Sequence, residues 1–133
     1  MARNGSDDAT RPGTTPVEAV EGLLAYAQSR WGGGGIKRAY KAVALSRAMA
    51  ERDPGTYGVL LARCLRTTAT LLLRRGQATE ALPMAQEAVA LTRATGGAPL
   101  AVSLYCLVEA LEAVNRFSEA AAFSAEADRL DPG

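Results

Sequence analysis

Gly76-Gln-Ala-Thr-Glu-Ala-Leu-Pro-Met-Ala-Gln-Glu-Ala-Val-Ala-Leu91 is repeated, without a gap, as Asn115-Arg-Phe-Ser-Glu-Ala-Ala-Ala-Phe-Ser-Ala-Glu-Ala-Asp-Arg-Leu130. Each copy follows an apolar run, Val59–Arg75 and Ala98–Val114. The unit is therefore a helix, a tight turn and a second helix, at a spacing of 39 residues. A repeat of this length implies helix pairs that stack on one another to bury a shared core, an architecture used mainly to hold other molecules.

Outward from that core, the same phrase is found once more in weaker form. Ala42-Val-Ala-Leu-Ser-Arg-Ala48 matches Ala88-Val-Ala-Leu-Thr-Arg-Ala94, which makes the first helix pair a degenerate copy. Its first helix is expected from about Val17, with Val17, Val20, Leu24, Ala27 and Trp31 forming one apolar stripe. Thr15-Pro16 reads as a cap with proline in the first turn. The expected domain spans 16–133, with pairs at about 17–51, 59–94 and 98–130, behind a polar, disordered tail of residues 1–15. Gly32-Gly-Gly-Gly35 is expected to break the chain as a flexible connector. A phosphate cradle would need a preceding strand and a Lys-Ser/Thr ending. Asp53-Pro54-Gly55 is a turn, and Pro83 predicts a late start or a kink in its helix.

Composition excludes more than it selects. The 133 residues suit one domain, rich in Ala and Leu and poor in aromatics, as an all-α protein reads. No stretch approaches the roughly 20 apolar residues of a membrane helix, and the N-terminus lacks the apolar segment of a secretory signal, so a cytoplasmic location is expected. There is no histidine, no Walker-type loop, no Gly-x-Ser-x-Gly elbow and no spaced cysteine cluster. No enzymatic activity, metal or cofactor is therefore expected. Cys64 and Cys106 lie in apolar helical patterns and read as small buried residues rather than a disulfide.

These residues resemble the tetratricopeptide repeat family. The pattern is Leu65, Ala69 and Leu72, then Gly76, Glu80-Ala81, Ala88 and Leu91. It returns as Leu104, Leu107 and Leu111, then Asn115, Glu119-Ala120, Ala127 and Leu130-Asp131-Pro132. The repeat exceeds the family's usual unit of about 34 residues, as in members with extended loops between units. The resemblance implies an all-α, right-handed superhelix of three antiparallel helix pairs. It also implies a protein or peptide partner held in a concave groove lined by the first helix of each pair.

Which residues would line that groove follows from the helix 59–75. Leu61, Leu65, Thr68, Ala69 and Leu72 take the packing side, leaving Arg63, Arg66, Thr67, Thr70 and Arg74 opposite. By the resemblance, this opposite side faces the partner, and a row of guanidinium groups suits the carboxylates of an acidic peptide. The matching face of the next first helix carries Val102, Tyr105, Cys106, Glu109 and Glu112. The candidate partner-binding set is Arg63, Arg66, Thr67, Thr70, Arg74, Tyr105 and Glu109; a solvated charged face explains the same row equally well. Phe117 is expected in the core.

The formal net charge is only +1, yet it is divided. From Arg30 to Arg75, ten basic residues face two acidic ones, a balance of +8; from Gly76 onward, three face eight, a balance of −5. That division suggests two alternatives: a nucleic-acid-associated regulator using Lys37, Arg38, Lys41 and Arg47, or a scaffold that associates with itself through charge or its last helix. A third alternative, catalysis by Glu109 and Glu112, has no opposing pocket in the pattern.

Overall fold

The computed structural model describes residues 15–29 and 33–130. Six helices follow one another: α1 (Pro16–Ser29), α2 (Gly33–Arg52), α3 (Pro54–Arg74), α4 (Ala78–Thr92), α5 (Gly97–Ala113) and α6 (Phe117–Leu130). Among the described residues there is no strand, and no helix is long and apolar enough to cross a membrane. Residues 1–14 of the expected tail, Trp31 at the end of the first stripe, and Asp131-Pro132 lie outside the described residues.

Local signals account for most boundaries. Thr15 and Glu18 cap α1 reciprocally: the Glu18 N–H donates to the Thr15 hydroxyl at 3.0 Å and the Thr15 N–H to the Glu18 carboxylate at 2.8 Å. Asp53 alone separates α2 from α3, which begins five residues before the expected Val59. Its carboxylate accepts from the Thr56 N–H at 3.2 Å and from the Thr56 hydroxyl at 2.7 Å, and Pro54 sits where a missing N–H costs nothing. The expected turn is thus a helix start as well.

Two other expectations, the glycine connector and a late helix start at Pro83, are corrected. Three of the four connector glycines, Gly33–Gly35, form the first turn of α2. Glycine costs about 1 kcal/mol at an interior helical position, but first-turn N–H groups have no intrahelical partner to lose, and the rest of a 20-residue helix holds the turn. Gly35 is buried at the repeat position of Ala81 and Ala120, the small residues of close helix contact. Pro83 does not delay α4, which begins at Ala78. The ring is exposed, and the carbonyl that loses its donor belongs to the exposed Thr79, within reach of water.

The two clear copies turn identically. Gly76 (φ 75°) and Asn115 (φ 64°) both take the left-handed conformation that ends a helix. The following residue closes the same bond in each: Gln77 N–H to the Leu72 carbonyl at 2.9 Å, and Arg116 N–H to the Leu111 carbonyl at 2.8 Å. The degenerate copy is equally recognisable. Ser46 donates to the Ala42 and Val43 carbonyls at 2.8 and 3.2 Å, and Thr92 to the Ala88 and Val89 carbonyls at the same two distances.

Each helix packs on its sequence neighbours, and the first helices also touch in a row, α1 with α3 and α3 with α5. One buried cluster joins α1–α3 through Val20, Leu24, Leu61 and Leu65, and reaches Ala88 of α4. A second joins α3–α6 through Leu72, Leu104, Leu107 and Leu111, and Met84 packs against both. Cys64 and Cys106 are buried and unpaired, as their apolar setting suggests. Phe117 is not in the core: it is 61% exposed. As the first residue of α6 it projects beyond the packed face, and Phe123, two turns on, makes the core contact instead.

Candidate functional site

The row of first helices leaves a groove between α3 and α5, with Gln28 of α1 at its edge. It encloses about 530 Å³, and all seven candidate residues line it: Arg63, Arg66, Thr67, Thr70 and Arg74 from α3, Tyr105 and Glu109 from α5. Val102 and Cys106 complete the α5 wall. The α3 residues share this face because Leu61, Leu65, Thr68, Ala69 and Leu72 are buried on the other.

The three arginines are not equivalent. Arg63 is exposed and reaches across to α1, where Nη1 lies 3.4 Å from a Glu21 carboxylate oxygen. Arg74 is exposed at the far end, with no ion pair among the described residues. Arg66, between them, is half-buried, and its Nη1 donates to the buried Ser103 hydroxyl of α5 at 3.1 Å. Burial holds the Arg66 guanidinium below its ordinary pKa, and the neighbouring Arg63 charge adds to the effect. Among the described residues no carboxylate pairs with it. A cation is thus partly removed from water with only a neutral hydroxyl in compensation.

The opposite wall is quieter. Burial pushes the Cys106 thiol up to about 11, reinforced by the Glu109 charge and opposed by Arg66 and by a hydrogen bond with Thr70. It is a neutral thiol at physiological pH, without the thiolate a nucleophile needs. The Tyr105 hydroxyl donates to the Asp128 carboxylate of α6 at 2.8 Å. That contact crosses helices and has no signature in the local pattern. Ser103 likewise has no signature there, because only packing brings it beneath Arg66.

The structure also sorts the alternatives. Lys37, Arg38 and Lys41 are exposed on α2, and Arg38 lies 4.7 Å over the Tyr26 ring. Arg47 is taken out of that basic patch by Glu87 of α4, at 2.6 Å through Nη1 and 3.1 Å through Nη2. Of the two glutamates offered for catalysis, Glu109 lines the groove and Glu112 does not. Among the described residues no cluster of carboxylate or cysteine side chains is arranged to hold a metal ion. A second recess of about 420 Å³ lies between α4 and α6, floored by Val89, Leu107, Leu111 and Phe123 and edged by Arg93 and Glu119.

Comparison of the chain with protein-family models, with curated proteins and with solved structures returns no match. The functional reading therefore stands on the residues themselves.

Proposed function

We propose that the chain is a non-catalytic interaction module of the tetratricopeptide-repeat type. In this reading it acts in the cytoplasm as an adaptor or regulatory subunit and holds an acidic peptide or protein segment in the α3–α5 groove. The three helix pairs would stack in the right-handed sense of that family. Arg66 carries the proposal: its half-buried guanidinium lines the groove, and among the described residues only the Ser103 hydroxyl engages it. A ligand carboxylate would supply the missing charge in a desolvated setting, where a charge-assisted hydrogen bond is strongest. Arg74 would add a second contact, and Arg63 a third by exchanging Glu21 for the ligand.

Fluorescence anisotropy with a panel of acidic and neutral peptides, each with a free or an amidated C-terminus, tests this. Acidic peptides should bind the wild type and lose at least about tenfold in affinity to Arg66→Gln, the equivalent of one charged hydrogen bond. Equal binding by wild type and Arg66→Gln, with both helical by circular dichroism, would remove the groove from consideration.

A further inference from the structure

The ion pairs between alternate helices follow the repeat. Arg47 of α2 pairs with Glu87 of α4, and Arg93 of α4 pairs with Glu126 of α6. Arg47 and Arg93 hold the same repeat position, as do Glu87 and Glu126. Each pair thus extends an arginine to a glutamate in the middle of the next pair's second helix. On α2 the position of those glutamates is Lys41, which is exposed and makes no ion pair among the described residues. The rung is charge-reversed at that end. Arg38, one turn before, stands where Met84 and Phe123 stand in the other pairs. Leu45 stands where Leu91 and Leu130 pack on the preceding cluster, yet it is itself 40% exposed.

The opposite end has changed in the complementary direction. Leu73, Leu82 and Val89 of the second pair belong to or pack against the core shared with α5 and α6. Their equivalents in the third pair are Glu112, Ala121 and Asp128, all exposed. An acidic face with small side chains thus closes α5–α6, and a basic face with an exposed leucine opens α1–α2.

We propose that these two faces dock on each other between copies of this chain, α5–α6 of one copy seated on α1–α2 of the next. Glu112 and Asp128 would oppose Lys41 and Arg38, with Leu45 covered against Ala121. The contact continues the stacking inside the chain and brings acidic side chains towards Lys41, at the position the rung glutamates hold in α4 and α6. Because the two faces differ, the contact is heterologous, so association runs on past the dimer into a ring or an open stack. It meets the α3–α5 groove at one point, where the Tyr105 hydroxyl donates to Asp128.

Mass in solution by light scattering and sedimentation, followed against concentration at low and high ionic strength, is the test. The expected result is a mass that climbs with concentration past two chains and falls back when salt screens the charges. Lys41→Glu and Asp128→Arg should each weaken association at least about tenfold, because attraction becomes repulsion at every contact. Mixing the two variants should restore it, since each then presents the charge the other lacks. The groove variant Arg66→Gln should associate as the wild type does, which separates this proposal from the peptide-binding one. A single-chain mass at every concentration overturns the proposal. So does a mass that stops at two chains, or variants whose mixture is no better than either alone.

Discussion

Between the second helix pair, α3–α4, and the third, α5–α6, the turn is the same to the residue and the outward face is not. Gly76 and Asn115 take the same left-handed conformation, and Gln77 and Arg116 close the same hydrogen bond. Leu65 and Leu104, at one repeat position, are both fully buried. Yet Leu73, Leu82 and Val89 become Glu112, Ala121 and Asp128. Whatever lies between the helices of a pair is held constant, because close packing there tolerates few side chains. What faces away from the pair is free to be apolar where another pair covers it and charged where, among the described residues, none does.

The hardest blow to this comparison would fall on the shared core. Leu65→Ala and Leu104→Ala should each cost about 2–5 kcal/mol in urea unfolding, and by similar amounts. A clear inequality would mean that equivalent positions do not carry equivalent packing. By contrast, Ala121→Leu, which restores the second pair's side chain, should change stability by less than about 0.5 kcal/mol, as at other exposed surfaces.

The turn gives the next largest effect. Gly76→Ala should cost about 1 kcal/mol from backbone conformation alone, since a Cβ there meets no atom within 4 Å. Asn115→Gly should be neutral or slightly stabilising and Asn115→Ala destabilising by a similar ~1 kcal/mol, read as a fall in melting temperature. Opposite signs for Gly76→Asn and Asn115→Gly would sharpen the equivalence into a ranking of the two residues at one site.

The buried hydroxyls are comparable. Thr92→Val and Ser46→Ala each remove one side-chain bond to backbone carbonyls and should cost about 0.5–1.5 kcal/mol in thermal unfolding. Matching losses would extend the comparison to the degenerate first pair.

The ion-pair rungs are the smallest term. Arg47→Ala and Arg93→Ala should each cost no more than about 1 kcal/mol and less in salt, because both pairs are partly exposed. The Arg93 guanidinium holds the Glu126 carboxyl below the usual carboxylate range. A depressed carboxyl contributes stability that is present above its unfolded pKa and lost as pH falls through the folded value. Glu126→Gln should therefore flatten the acid limb of the stability profile and leave the neutral region nearly level.

How far these features could be read in advance depends on whether their cause is local. The Leu65/Leu104 registers, the Thr15 cap, the left-handed Gly76 and the arginine face of α3 follow from periodicity and turn chemistry within one helix or its ends. The glycines at 33–35 misled because a propensity cost of about 1 kcal/mol each is overridden when the helix beyond them is packed. Phe117 misled because its hydrophobicity says nothing about whether the chain has room for it in a neighbour's core.

Sequence alone thus determined an all-α repeat, the phase of its buried faces and the row of residues that lines the groove, since each is written in spacings of three and four. Only the tertiary structure decided that Arg63 turns to Glu21, that Arg66 sits half-buried over Ser103 and that Tyr105 joins Asp128. The same holds for Arg47, which is spent on Glu87, 40 residues away in the chain. Such partners are chosen by the geometry of helix stacking. That geometry comes from the sum of many weak packing contacts and has no motif of its own.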